Sequence, residues 1–165
     1  MTIALIRHAA RERYADNIAE EHLPLTDEGR TQASALAAKM AARGIRPEIY
    51  LTSRYVHAQQ TGGILRDLIA SAAALVQLRT LTPHEEYDFQ GILTEAHDSG
   101  HDVGGLSTIA LVLHHPRVNQ LLEKLTSRTI STKPQYSEAV CVAAPSLADF
   151  VEGRAQEQCR LSGDS

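Results

Sequence analysis

Residues 2–6, Thr-Ile-Ala-Leu-Ile, form a short apolar run with no polar alternation. A run of that kind reads as a strand buried on both faces. TIALVL at 108–113 is a second, stronger example, and EIYLT at 48–52, Leu75–Leu78 and AVCVA at 139–143 are shorter ones, the last of them read as the final strand. Helical spacing lies between them. Ala33, Leu36, Ala37 and Met40 recur on one face after Thr26, a plausible N-cap, with Asp27 and Glu28 in the positive first turn and Gly44 as terminator. Val56, Gln60, Ile64, Leu65 and Leu68 predict a helix over 55–70, locally weakened by Gly62 and Gly63. Residues 84–98 carry a weaker helical pattern, and Pro116 can open a helix through VNQLLEKL. Strands alternating with helices predict an α/β fold, a three-layer α/β/α sandwich with a mostly parallel central sheet.

Composition narrows this picture. A chain of 165 residues buries about 70% of its extended surface, enough for one core, so residues 1–165 are expected to form a single domain. Aromatic residues are only 4% and Trp is absent, so the core must be built from Ala, Leu, Ile and Val. The formal net charge is −4 and no Lys/Arg run occurs, which argues against a nucleic-acid partner. No 18-residue apolar segment exists and the start lacks a secretory signal's apolar stretch, so no membrane partner and a cytoplasmic location are expected. Cys141 and Cys159 have no metal or redox spacing, and Cys141 reads as a small buried hydrophobe.

Chemistry concentrates where strands end. Arg7-His8 follows the first strand and His114-His115 follows the strand at 108–113. Open α/β sheets bind ligands outside the carboxyl ends of their strands, so the two histidines could face one site. A neutral imidazole can attack phosphorus, a guanidinium can grip a phosphoryl oxygen through its planar fork, and a second imidazole can stabilise the developing charge. His-His is no metal signature and no H-E-x-x-H occurs, so neither a metal nor another cofactor is expected.

Four segments carry a family resemblance: IRHA at 6–9, LTDEGRTQA at 25–33, LTSRYVHAQQT at 51–61 and VLHHP at 112–116. In this order they resemble the histidine phosphatase superfamily, which includes the cofactor-dependent phosphoglycerate mutases. The resemblance spans roughly residues 2–145. The LTP of LRTLTPHE and the short chain look like the small phosphohistidine phosphatases, which lack a large inserted cap. The resemblance implies a phosphohydrolase with His8 as the phosphorylated nucleophile, Arg7 as a phosphate-pocket arginine and His114 as the second pocket histidine. It implies that Thr26 and Gly29 support the pocket loop.

Three departures qualify that reading. Ala9 stands where the family usually has glycine, which is tolerable if its backbone stays in an ordinary region. His57 stands where the family has a second phosphate-clamping arginine. Losing one charge-assisted pair costs about 2–3 kcal/mol, or roughly 30- to 150-fold. Arg54, three residues earlier, would share the first helical turn with His57 and could replace the missing guanidinium, or could be a solvated helix-start residue. The resemblance also implies a glutamate proton donor for phosphate esters; Glu85, Glu86 and Asp88 do not match its motif cleanly, and Glu85 is the best candidate.

A metal-independent phosphohydrolase acting on phosphohistidine, a phosphoramidate or a small phosphorylated substrate is therefore expected. Its partner would be a phosphorylated protein or a small phosphorylated metabolite, and partial protonation of His57 would give a mildly acidic optimum. The alternative is a catalytically weakened or inactive module of the same fold that binds phosphate or a phosphoprotein. A phosphosugar mutase is disfavoured, since it needs a competent acid and an enclosed pocket.

Overall fold

The computed structural model describes residues 1–13, 17–85 and 88–164. Its centre is a six-stranded sheet, built from β1 (Thr2–Arg7), β2 (Ile49–Ser53), β3 (Ala74–Leu78), β4 (Thr108–Leu113), β5 (Glu138–Ala143) and β6 (Gln156–Ser162). The spatial order is β3-β2-β4-β1-β5-β6. β3, β2, β4 and β1 run parallel, and β5 runs antiparallel to both β1 and β6. The helices are α1 (Asp27–Ala42), α2 (Val56–Ile69), α3 (Phe89–Asp98), α4 (Arg117–Thr126) and α5 (Leu147–Val151). The expected α/β architecture with a mostly parallel sheet is what forms.

Side chains alternate across the sheet, so each strand feeds both faces. Ile3 and Leu5 of β1 join Ile109 and Leu111 of β4 in one core, covered by Ile92 of α3, Leu121 and Leu122 of α4, and Phe150 of α5. Ala4 and Ile6 face the other way with Ala110 and Val112, under Leu36 and Met40 of α1 and Leu65 of α2. Alanines at sheet centre on this second face let α1 and α2 settle close. Cys141 lies buried in the same core as a free thiol, as its apolar setting predicts.

Sequence pattern misses two elements. AVCVA is not the last strand, because α5 and β6 follow it. β6, QEQCRLS, occupies the sheet edge with its first three residues exposed, so it carries no apolar signature. The weak pattern at 84–98 becomes a helix only from Phe89, capped by the Asp88 side chain on the Gly91 amide. Among the described residues no helix is long and apolar enough to cross a membrane.

The two glycines of α2 have opposite roles. A Cβ on Gly62 would stand 2.6 Å from Thr52 Cγ2, a buried, stiff side chain of β2, whereas one on Gly63 would meet nothing within 4 Å. Gly62 therefore sets how closely α2 approaches the sheet, and Gly63 only costs helix propensity. Gly63→Ala is expected to stabilise the protein by up to about 1 kcal/mol. Gly62→Ala is expected to destabilise it by about 1–3 kcal/mol through overpacking. Urea unfolding of the two variants side by side checks the opposite signs.

Candidate active site

β1 and β4 pair in parallel register with Arg7 opposite Leu113, and each strand is followed at once by a histidine. The His8 amide donates to the Leu113 carbonyl at 3.0 Å, carrying the pairing one step past the strand. This brings the His8 and His114 rings to a centroid distance of 4.9 Å. His57, second residue of α2, supplies a third ring, 4.3 Å from His8 and 5.2 Å from His114. All three are almost withdrawn from solvent, with relative exposures of 5% for His8, 0% for His57 and 3% for His114. Tyr55 packs against His114 and His57, and Tyr136 packs 5.6 Å from His8.

The loop leaving His8 is clamped from two helices. The Ala9 amide donates to Thr61 Oγ1 of α2 at 3.1 Å, and the Ala10 amide donates to Gln32 Oε1 of α1 at 3.0 Å. Thr26 donates from its amide and its hydroxyl to the Ala10 carbonyl, while its Oγ1 accepts from the Gly29 amide at 2.9 Å as the cap of α1. A Cβ on Gly29 would come within 1.9 Å of the Ala10 oxygen, so only glycine lets α1 touch this loop. The LTDEG and HAQQT segments thus serve as the mechanical support of the His8 loop. Ala9 is buried and does not take a positive φ, so alanine is accommodated where the family usually has glycine.

Hydrogen bonding assigns the tautomers. His8 Nδ1 lies 2.8 Å from the Ala9 carbonyl and His57 Nδ1 lies 3.0 Å from the Leu23 carbonyl. A carbonyl only accepts, so each Nδ1 carries the proton and each Nε2 keeps its lone pair. The Nε2 atoms of His57 and His114 are buried with no hydrogen-bond partner among the described residues. Burial disfavours the charged forms throughout. It holds His8 well below the ordinary histidine range, helped by His57, His114 and Arg7. It brings His57 to about 4 and, with further repulsion from His57, Arg11 and Arg7, His114 to about 3.

Arg7 stacks its guanidinium 3.9 Å above the Tyr136 ring and donates from NH1 to the Pro134 carbonyl at 2.8 Å. Its Nε is buried without a hydrogen-bond partner among the described residues. Arg54 is placed differently from the expectation. It precedes α2, whose first residue is Val56, so Arg54 and His57 do not share a helical turn. Its side chain is 57% exposed and approaches Glu95 at 3.9 Å. The protonation expected of His57 in mild acid also changes, because complete burial keeps this ring neutral down to about 4. Glu85 pairs with Arg79 at 3.1 Å and stands outside the histidine cluster. Glu86 lies outside the described residues.

Two openings adjoin the cluster. A groove of about 370 Å³ is lined by Arg54, Tyr55, Arg79, Thr82 and Glu85, with Tyr55 as its wall toward His57 and His114. A cleft of about 770 Å³ is lined by Arg11, Arg13, Thr26, Gln32 and Tyr136, with Tyr136 toward His8. Pattern reading singled out neither tyrosine, since an isolated Tyr in a loop carries no spacing signal. Gln32 and Thr61 were legible only as members of their motifs.

A mostly parallel sheet covered on both faces, with an Arg-His pair and a second histidine at adjacent strand ends, defines an α/β protein whose candidate site is built on imidazole. Residues 3–102 match the histidine phosphatase superfamily (branch 1), and the chain belongs to that family. Solved structures share its fold. The protein histidine phosphatase SixA complexed with tungstate superposes with a TM-score of 0.79 at 20% identity, over 99% of this chain and 97% of that one. The putative phosphohistidine phosphatase SixA from Agrobacterium tumefaciens gives 0.77 at 17% identity, over 97% and 96%. A mycobacterial glucosyl-3-phosphoglycerate phosphatase with VO3 gives 0.68 at 15%, over 96% and 97%. No curated protein sequence matches the chain.

The buried neutral imidazoles tie stability to pH. A histidine held below its unfolded value near 6.5 binds fewer protons folded than unfolded as pH falls through that value. Stability is then complete above about 6.5 and declines on acidification. For His57, folded at about 4, the loss reaches about 2 kcal/mol by pH 5. Thermal unfolding should show a lower Tm at pH 5 than at pH 7, and a smaller drop in His57→Gln. Equal drops in the two proteins would contradict the assignment.

Proposed function

We propose that this chain is a phosphohydrolase that works through a phosphohistidine formed on His8, with phosphohistidine or another phosphoramidate as its preferred substrate class. The observation that carries the reading is the state of His8. Its ring is neutral, its Nδ1–H is fixed on the Ala9 carbonyl, and its Nε2 lone pair is left for chemistry beside His114 and Arg7. Nucleophilic catalysis needs that combination of orientation and deprotonation.

In the first step Nε2 of His8 attacks phosphorus and the substrate's P–N bond breaks. The departing nitrogen leaves as a neutral amine or imidazole, having been protonated before or during cleavage. In the second step water attacks the phosphoryl group, the P–Nε2 bond breaks, and neutral His8 returns with release of inorganic phosphate. Arg7 Nε, buried and unpartnered, is the cationic donor for the transferring oxygens, and His114 is the neighbouring imidazole. No step calls on a metal. The substrate preference rests on the leaving group. An alkoxide needs a general acid, whereas a phosphoramidate nitrogen accepts a proton readily. Glu85, the candidate acid, is committed to Arg79.

His57 favours a second reading. A neutral ring where the family has a permanent charge weakens the grip on phosphate, which suits a module that binds phosphate or a phosphoprotein and turns over slowly or not at all.

Incubation with a reactive phosphoramidate should label His8 with acid-labile phosphate, and His8→Ala should abolish the label. Absence of label in the unaltered protein, with phosphate binding intact, would replace the enzyme by the binding module. His57→Arg is expected to raise kcat/KM for phosphoramidate hydrolysis by roughly 30- to 150-fold, provided thermal unfolding shows that the larger side chain is accommodated.

A further inference from the structure

We propose that His8, His57 and His114 form a three-histidine site for a zinc-class divalent transition metal, and that metal at this site blocks phosphorylation of His8. One ring nitrogen from each residue lies within 4.8 Å of the other two. The residues come from the ends of β1 and β4 and the start of α2, so no local sequence spacing announces the set.

Four features fit a metal. The Nε2 atoms of His57 and His114 are buried and lack a hydrogen-bond partner among the described residues, a costly arrangement that a metal ion would satisfy. His8 and His57 each hold their Nδ1 against a backbone carbonyl, the arrangement that orients metal-bound imidazoles. All three rings are almost withdrawn from solvent, a setting that favours the neutral imidazole a metal requires. The donor set is all imidazole, which suits zinc, copper, cobalt or nickel and not calcium or magnesium. Three protein ligands leave a fourth position for water or a phosphate oxygen. Tetrahedral zinc with Zn–N near 2.0–2.1 Å needs ligand nitrogens about 3.4 Å apart, so the rings must draw together by up to about 1.4 Å.

The site stands without the phosphatase reading; only the exclusion between metal and phosphoryl group rests on it. Both need the same lone pair on His8 Nε2. A metal-bound His8 cannot attack phosphorus, and phosphorylated His8 cannot bind metal.

The test titrates the full-length, chelator-stripped chain with Zn2+ against a chromophoric competitor, and with Co2+ by visible absorption. The expected result is one saturable site with the intense bands of four-coordinate cobalt. His57→Gln and His114→Gln should each weaken Zn2+ affinity by at least about 100-fold. His97→Ala/His101→Ala should bind Zn2+ normally; it removes the competing His-x-x-x-His spacing at the end of α3. Lack of saturable binding, or binding lost only in the His97/His101 variant, overturns the site. One equivalent of Zn2+ should suppress His8 labelling by the phosphoramidate, and chelator should restore it. Labelling unaffected by bound Zn2+ overturns the exclusion. If metal binds but apo protein takes no label, the phosphatase reading fails and the metal site remains.

Discussion

The parallel register of β1, β4 and β2 fixes everything at the site. Arg7 is level with Leu113, and Thr52 is level with Val112, so Ser53 ends β2 on the same line. One residue past that line come His8 and His114, and four residues past it, after the turn into α2, comes His57. A slip of one residue in β1 would exchange its two core faces and carry His8 away from His114. The apolar pattern that defines the strands therefore also defines the distances between imidazoles. Chemistry here is a by-product of which face each side chain must bury.

That register places three titratable rings in a volume with little water. Desolvation dominates their behaviour, and repulsion between neighbours adds to it for His8 and His114. An arginine in place of His57 would hold its charge regardless of burial. His57 instead is held neutral by burial, and an anion beside it would favour the protonated form. The positive charge beside His8 then comes mainly from Arg7, which is itself stacked on Tyr136 and anchored to Pro134. On the proposed reading, phosphate affinity is conditional on proton uptake to a degree that a two-arginine site would not show.

Much of this was legible in the sequence, for identifiable reasons. Buried parallel strands read as unbroken apolar runs, so β1 and β4 and the histidines after them stand out. Thr26, Gly29, Gln32 and Thr61 are legible as motif members: Thr26, Gln32 and Thr61 hydrogen-bond the loop at Ala9 and Ala10, and Gly29 lets α1 approach it. β6 was not legible, because an exposed edge strand has no apolar face to announce. Arg54 lies outside the helical pattern, because α2 begins only at Val56, and its side chain approaches Glu95 instead of His57. Tyr55, Tyr136 and the closeness of all three histidines are tertiary facts. Residues 8, 57 and 114 are too far apart in the chain for any local spacing rule to join them.

The single change at position 57 acts on two chemistries in opposite directions. Against the family pattern it removes a permanent cation from the proposed phosphate site, and it places a third neutral nitrogen beside two that already face one another. Arg7 separates the outcomes. A phosphoryl group brings negative charge, which the guanidinium attracts; a divalent cation brings positive charge, which it repels. The same residue therefore strengthens one occupant of the His8 lone pair and weakens the other. Proton concentration acts on the same choice through His57: both occupants need His8 neutral, but a metal also needs His57 neutral, whereas a protonated His57 favours an anion. On the proposed readings, selection between phosphoryl group and metal at His8 thus rests on the field of Arg7 together with the charge of His57.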